Sequence, residues 1–214
     1  MLSAGDMEAV EIVPPLPSAA FKSVKVLLAS NSPRRRQLLQ MILPSFEIAD
    51  NIDVDESYPA DIKPEDVPAY IAVIKAKAHD NLLEDNELMI TADTVVILDG
   101  RIYGKPHSRE EAVDMLGRLS GRTHHVVTGV ALSAKGHERD VFSETTAVRF
   151  AELSKAQIED YVDRYRPFDK AGAYGVQEWV GAVGISGLDG CYYNVMGLPL
   201  HTLYEHLARF YQST

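Results

Sequence analysis

Residues 88–98, with the sequence Leu-Met-Ile-Thr-Ala-Asp-Thr-Val-Val-Ile-Leu, constrain the fold of this chain more than any other segment. Apolar side chains stand at both odd and even positions, whereas a strand with one solvated face alternates apolar and polar residues. Such a strand requires a sheet that is covered on both faces. Helical patterns precede and follow it, and residues 123–134 and 140–152 indicate a β-hairpin. We therefore expect an α/β domain built around a mixed sheet.

The charge balance restricts the class of partner. The 214 residues include 21 Lys and Arg against 31 Asp and Glu, a net charge of -10. A polynucleotide-binding face is basic, so we expect no polynucleotide partner, although a small phosphorylated ligand needs only a local basic pocket. No apolar run approaches the roughly 18 residues that cross a membrane, so we expect no membrane association. The single cysteine, Cys191, cannot form an internal disulfide, which is typical of a cytoplasmic protein.

The first 22 residues differ from the rest of the chain. They contain three acidic residues and a Pro-Pro-Leu-Pro segment, with neither a basic start nor a long apolar stretch. This composition is typical of a flexible tail rather than a signal peptide. We expect residues 1–22 to form an N-terminal tail and residues 23–214 to form a single domain.

An arginine cluster follows the first predicted strand. Ser32 is placed to cap a helix that has Pro33 at its first position and Arg34, Arg35 and Arg36 in its first turn. Three cations there oppose the helix dipole, at a cost of roughly a few tenths of a kcal/mol each. An anion at the helix start would offset that cost, because guanidinium groups bind phosphate oxygens in bidentate fashion. The cluster therefore predicts a phosphate site, and the alternative is a solvated turn.

Asp93 is a carboxylate inside the buried strand. Such a group is costly unless it is paired, protonated or bound to a metal. A buried ion pair with a lysine or arginine and a catalytic or metal-binding role both remain open. Thr94 follows directly and points to the opposite face of a regular strand. If both residues serve one site, the strand must end or bulge near them.

Further polar residues are ambiguous by themselves. A helix predicted over residues 64–83 has an apolar face of Val67, Tyr70, Ile71, Ile74, Ala78 and Leu82. Lys75 and Lys77 flank this face on opposite sides, and the helical wheel does not choose between them. Glu56 lies in a polar loop, and Lys105 follows a short return strand near Asp93; either residue is equally compatible with a solvated surface position.

Two other segments invite a ligand interpretation. His124 and His125 are adjacent in a predicted strand, so they face opposite ways and we expect structural roles rather than a shared metal. Gln177 ends a glycine-containing segment that lets backbone approach a ligand closely. Its amide offers both a donor and an acceptor to the edge of a nucleobase.

Taken in order, these segments resemble the Maf family of nucleoside triphosphate pyrophosphatases. The resemblance covers nearly everything after residue 23, and the residues that carry it are 27–35 (LLASNSPRR), 91–95 (TADTV), 104–106 (GKP), 119–122 (LSGR), 169–177 (DKAGAYGVQ) and 193–199 (YNVMGLP). It implies a Maf/inosine-triphosphatase-like α/β fold, with an elongated mixed β-sheet flanked by helices and two lobes around a central cleft. It also implies hydrolysis of a nucleoside triphosphate to the monophosphate and pyrophosphate with a divalent cation, Mg²⁺ or Mn²⁺, and a homodimer.

The resemblance also implies roles for individual residues. Asp93 falls on the position of the proton acceptor, Lys75 and Lys105 fall on catalytic cleft positions, and Glu56 with Asp93 would hold the metal. The substrate-binding and specificity positions correspond to Ser32, Arg34, Thr94 and Gln177.

The resemblance further indicates the substrate. The Ala-Asp-Thr sequence around Asp93 is similar to the subfamily that prefers dTTP and UTP, whereas the 7-methyl-GTP subfamily tends towards Ser-Asp-Gln. Removal of non-canonical or modified nucleotides is the expected context. Two alternatives stay open: a pyrophosphatase for 7-methyl-GTP or another modified nucleotide, and a nucleotide-binding regulator of cell division with little turnover.

Overall fold

The computed structural model describes residues 24–50 and 52–213. The predicted N-terminal tail, residues 1–22, lies outside the described residues. Along the described chain the helices and strands follow in the order β1 (Lys25–Leu28), α1 (Pro33–Gln40), β2 (Glu47–Ile48), α2 (Val67–His79), β3 (Glu87–Leu98), β4 (Arg101–Tyr103), α3 (Arg109–Leu119), β5 (Thr123–Ala134), β6 (Asp140–Phe150), α4 (Lys155–Tyr165), α5 (Trp179–Gly184), β7 (Ile185–Asp189), α6 (Tyr192–Met196) and α7 (Leu200–Ser213). Two 3-10 turns, Asp80–Leu82 and Ala171–Ala173, complete the order.

The strands form one mixed sheet, as the sequence predicts. Its order is β2-β1-β3-β5-β6-β7, and β4 also pairs with β3. β1 is parallel to both β2 and β3, whereas the other pairings are antiparallel. The predicted β5–β6 hairpin is confirmed, and so is the mixed α/β architecture with helices flanking the sheet.

One edge of β3 is interrupted. β5 pairs with the other edge without a break, from Leu88 to Ile97. On the interrupted edge, β1 pairs with residues 87–90 and β4 pairs with residues 96–98. Within the described chain, no strand pairs with residues 91–95 on this side. We call these five residues the open segment of β3.

The two faces of β3 are covered differently. α2 packs on one face, where Val67 and Ile71 contact Val95 and Ile97. The opposite face carries two hydrophobic cores. One joins β1 and the first part of β3 with α1 and α7, and the other joins the last part of β3 with α3, α4 and α5. Thr94 lies on this face between residues of the two cores, so the helices on either side meet over the open segment.

α2 is shorter than the sequence predicts, and it buries a different face. Val67 and Ile71 are buried as expected, but Tyr70 is 38% exposed and Leu82, beyond the helix, is 65% exposed. The remaining buried positions of the helix are Pro68, Ala72, Ala76 and His79. Mostly small side chains therefore face the sheet, which allows the helix to lie close to it.

Candidate functional site at the open segment of β3

Asp93 and Thr94 lie in the middle of the open segment. Their register with β5 is continuous, Asp93 opposite Gly129 and Thr94 opposite Thr128. The strand therefore neither ends nor bulges at these residues, so the condition that the sequence set for both to serve one site is not met. The two side chains lie on opposite faces of the sheet, next to an edge that no strand of the described residues pairs with.

Asp93 is paired with Lys75 of α2. The Nζ atom of Lys75 lies 2.8 Å from Asp93 Oδ1 and 2.9 Å from Glu56 Oε1. The side chains of Lys75 and Asp93 are only 20% and 17% exposed, whereas Lys77 is exposed. The structure thus selects Lys75 over Lys77 and brings both predicted metal-binding carboxylates to one ammonium group.

Close backbone contacts hold α2 in this position. A Cβ atom built on Gly129 would lie 2.2 Å from the backbone nitrogen of Ala69, so only glycine allows this approach. The Thr91 hydroxyl donates to the Ala72 carbonyl at 2.7 Å. At the end of the helix, the two ring nitrogens of His79 lie 2.9 Å from Lys75 O and 3.0 Å from Asp50 O. These contacts fix Lys75 over Asp93 and tie the helix to the segment that leads to Glu56.

The first turn of α1 separates the three arginines. Ser32 is the N-cap and Pro33 is the first helical residue, as predicted, and Ser32 Oγ accepts a long bond from Arg35 N at 3.4 Å. Arg36 is exposed. Arg34 turns towards Asp169, with 2.6 Å between Nη1 and Oδ2. The three guanidinium groups therefore have different surroundings and do not form one continuous basic surface.

Arg35 supports the open segment from the face opposite Lys75. Its Nη1 donates to the Ala92 carbonyl at 2.9 Å, its Nη2 donates to Thr94 Oγ1 at 2.9 Å, and its Nε donates to the Gly197 carbonyl at 2.8 Å. Ala92 lies where no strand supplies a partner, so the guanidinium satisfies an edge carbonyl. Arg35 was not distinguished from its neighbours by sequence, because only its tertiary partners reveal this role.

Thr94 belongs to a hydrogen-bonded network. The hydroxyls of Thr94 and Thr128 are 2.9 Å apart, and Thr128 donates to the Asn194 carbonyl at 3.2 Å. Thr94 must then donate to Thr128, which leaves one acceptor position on Thr94 Oγ1 beyond the bond from Arg35. Its predicted part in substrate choice is compatible with this remaining position and stays a prediction.

The structure places Lys105 beside the open segment and Gln177 at a pocket that no residue of the open segment lines. Tyr103 pairs with Val96, so the chain leaving β4 runs towards the open segment, and Lys105 is exposed just beyond. Gln177 is exposed at an open pocket of about 460 Å³, which is also lined by β7 and Tyr192. Within residues 24–50 and 52–213, neither side chain contacts the Asp93 carboxylate directly.

Beyond Arg34 lies a series of charged side chains in contact with one another, which the sequence did not reveal. Lys170 Nζ lies 2.7 Å from Asp169 Oδ1 and 3.0 Å from Glu178 Oε1, and the Tyr161 hydroxyl donates to the other Glu178 oxygen. Burial alone would raise the pKa of Asp169, but bonds from Lys170 and Arg34 outweigh it and lower the pKa to about 2. Burial, then the bond to Glu178, raises the pKa of Tyr161. Asp169 and Lys170 lie inside a recognised segment, but spacing gave neither a role.

The carboxylate pair has the chemistry of a partial metal site. Glu56 and Asp93 carry hard oxygen ligands, and each uses only one oxygen for the Lys75 ammonium that they share. In the described part of the chain, no group of three or more His, Cys, Asp or Glu side chains is placed to hold a metal ion. Mg²⁺ and Mn²⁺ suit two carboxylates, because they complete their shells with waters and substrate phosphates. The residues therefore fit a divalent cation shared with a phosphorylated ligand.

No helix in the described residues is long and apolar enough to cross a membrane.

The chain is 51% identical over 195 residues to the dTTP/UTP pyrophosphatase of Porphyromonas gingivalis, and the match covers 90% of this chain and 98% of the relative. It is 49% identical over 189 residues to the dTTP/UTP pyrophosphatase of Phocaeicola vulgatus, covering 88% and 97%. Among solved structures, the Ham1 protein of Staphylococcus aureus matches with a TM-score of 0.49 and 19% identity, over 88% of this chain and 98% of that one. The family model described as Maf-like protein matches residues 25–210, which is most of the chain. The chain therefore belongs to the Maf family.

Proposed function

We propose that this protein is a nucleoside triphosphate pyrophosphatase that hydrolyses dTTP and UTP to the nucleoside monophosphate and pyrophosphate. Relatives named for this activity match almost their whole length at about half identity. The single structural observation that carries the proposal is the position of Lys75 between Asp93 and Glu56 at the open segment. A mostly buried carboxylate that is held by a lysine beside an unpaired strand edge is suited to activate water next to a phosphate.

Asp93 acts as the proton acceptor in the proposed reaction. Lys75 Nζ donates to Asp93 Oδ1 and fixes the orientation of the carboxylate, which can then orient a water molecule and accept its proton. The water oxygen forms a bond to the α-phosphorus while the bond from that phosphorus to the oxygen bridging to the β-phosphorus breaks. Pyrophosphate leaves with the electron pair of the broken bond.

The remaining charged residues neutralise the triphosphate. Arg34 and Lys105 lie on opposite sides of the open segment, at the start of α1 and beyond the end of β4. We assign both to phosphate oxygens, with Ser32 supporting the helix start and Gln177 facing the nucleobase. Glu56 and Asp93 would hold Mg²⁺ or Mn²⁺, which when bound polarises the phosphate and screens its charge.

A product assay over a nucleotide panel tests the activity. The panel contains dTTP, UTP, CTP, the purine triphosphates and 7-methyl-GTP, each with Mg²⁺ or Mn²⁺. We expect pyrophosphate release to be fastest with dTTP and UTP, and reaction in ¹⁸O-labelled water to place the label in the monophosphate. Orthophosphate as the product contradicts the proposal. A preference for 7-methyl-GTP, or nucleotide binding without turnover, would instead support one of the two alternatives.

The variant Asp93→Asn tests the assigned proton acceptor. We expect the turnover number to fall about a hundredfold or more, since the amide accepts no proton at neutral pH, while dTTP still binds in calorimetry. Asp99→Asn is the matched control: Asp99 is exposed and bonded to Arg122, and asparagine tolerates its positive φ of 51°. Equal activity of the two variants would remove Asp93 from the chemistry.

The homodimer and the cytoplasmic location also stay predictions. Sedimentation velocity of the full chain tests the first, and cell fractionation tests the second. A monomer throughout the micromolar range would contradict the homodimer.

A further inference from the structure

We propose that Asp169 is a positioning residue for the triphosphate, which holds the Arg34 guanidinium by one edge and leaves its other N–H groups to the phosphates. This inference rests on the proposed function, because it concerns the substrate of the same site. Asp169 has no counterpart among the roles that sequence or resemblance suggests for this chain.

The contact geometry leaves Arg34 with donors to spare. Arg34 Nη1 donates to Asp169 Oδ2 at 2.6 Å, and Nη2 donates to the main-chain oxygen of Asp169 at 3.3 Å. A guanidinium group has five N–H donors, so three remain, including the one on Nε. A phosphate can bind these donors without breaking the contact with Asp169.

Asp169 is itself held from behind by a well-shielded group of side chains. Lys170, only 10% exposed, bridges Asp169 and Glu178 at 2.7 and 3.0 Å. Glu178 accepts from the buried Tyr161 hydroxyl, and that hydroxyl accepts from the Gly175 amide at 3.1 Å. The guanidinium is therefore anchored through Asp169 to α4 and to the segment that carries Gln177. Pre-ordering a flexible arginine reduces the entropy that substrate binding must otherwise offset.

The surrounding charges make a carboxylate tolerable near a triphosphate. Arg34 and Lys170 balance the two carboxylates of Asp169 and Glu178, so the group has no excess negative charge. Asp169 has a pKa of about 2 and stays ionised throughout the neutral range. We therefore expect the Arg34–Asp169 contact to persist at every pH at which the enzyme is assayed.

The contact has a second interpretation with the opposite consequence. If Asp169 competed with the substrate for Arg34, the ion pair would have to break before phosphate binds. Loss of the carboxylate charge would then tighten triphosphate binding. The positioning role predicts weaker binding, so the sign of the change distinguishes the two.

The test compares Asp169→Asn with the wild-type full chain. We expect the Kd and KM for dTTP to rise about tenfold, kcat to change by less than about threefold, and the Tm to stay within a few degrees. Asp163→Asn is the matched control, because Asp163 makes a similar exposed pair with Arg109 at 2.6 Å between α4 and α3. We expect that variant to match the wild type in all four quantities.

A double-mutant cycle separates positioning from general structural support. If Asp169 acts through Arg34, the double variant that carries Arg34→Ala and Asp169→Asn binds dTTP no more weakly than the single variant Arg34→Ala. Tighter binding by Asp169→Asn, or losses that simply multiply, would overturn the inference.

The binding measurements distinguish a failure of this inference from a failure of the proposed function. Inorganic tripolyphosphate serves as the probe if dTTP is not hydrolysed, because Arg34 would bind its phosphates equally. If the wild type binds dTTP but releases no pyrophosphate, only the proposed function fails. If Asp169→Asn binds as tightly as the wild type, only this inference fails. If the wild type binds neither dTTP nor tripolyphosphate, both fail.

Discussion

Lys75 illustrates how much one side chain organises at this site. Its ammonium group contacts Asp93 and Glu56, two carboxylates that would otherwise repel each other across a short distance. The sequence identified two lysines on one helix, and both flank its apolar face. Only the packing of α2 against β3 decides between them, because it directs Lys75 towards Asp93 and leaves Lys77 in solvent.

Replacing Lys75 by methionine should therefore remove most of the activity. We expect pyrophosphate release from dTTP to fall about a hundredfold or more, since Asp93 loses the cation that orients it. Lys77→Met changes the same residue type two positions away on the exposed side. Steady-state kinetics of both variants check the prediction, and equal losses would show that the effect is not specific to the carboxylate pair.

α2 shows where periodicity misleads at the scale of an element. The pattern of large apolar residues placed Tyr70 and Leu82 on the buried face, yet both are exposed. Close packing against β5 instead selects small residues, since the backbone of α2 approaches Gly129 directly. Hydrophobic periodicity gives weight to large side chains, so it cannot identify a face that is buried because its side chains are small.

Gly129→Ala should separate α2 from the sheet. The added methyl group would lie 2.2 Å from backbone nitrogen, which cannot move aside without moving the helix. We expect the free energy of unfolding to fall by about 3 kcal/mol, and activity to fall as Lys75 shifts. Gly117→Ala in α3 is the control, since nothing lies within 4 Å of its new Cβ atom and alanine favours the helix by up to about 1 kcal/mol. Urea unfolding of both variants measures the difference, and equal stabilities would refute the packing argument.

At the scale of the whole molecule, the two adjacent histidines lie on opposite faces of the sheet, as the strand pattern predicts. His124 is fully buried and its Nε2 lies 2.7 Å from the Tyr174 hydroxyl, whereas His125 is exposed. The ring of His124 also meets Phe150 and Tyr174 edge to face. Burial, with a smaller effect of His125, lowers the pKa of His124 to about 3. The neutral imidazole is thus part of one of the two hydrophobic cores.

The stability of the molecule should therefore depend on pH through His124. Its pKa is lower in the folded than in the unfolded chain, where it is about 6.5, so the unfolded state binds the proton first as the pH falls. We expect the stabilisation to be complete above about pH 6.5 and to be lost progressively towards pH 3. Urea unfolding at several pH values between pH 7 and pH 4 gives the slope of the free energy of unfolding against pH. We expect this slope to be shallower for His124→Gln than for the wild type. His125→Gln should keep the wild-type slope, and the reverse ranking would contradict the assignment.

The sequence by itself determined most of the elements, because strand patterns, N-caps and turn residues are local signals. It also determined the family and, through it, the identities of the candidate site residues; the assignment of residues 1–22 to a tail remains its prediction. Only the tertiary structure shows that Asp93 and Thr94 lie in a regular strand whose other edge is unpaired. β1 and β4 pair with β3 on either side of residues 91–95 and leave this stretch of the edge without a strand partner in the described chain. Such a gap depends on which distant segments reach the strand edge, and periodicity along the chain does not record pairing between segments far apart in sequence.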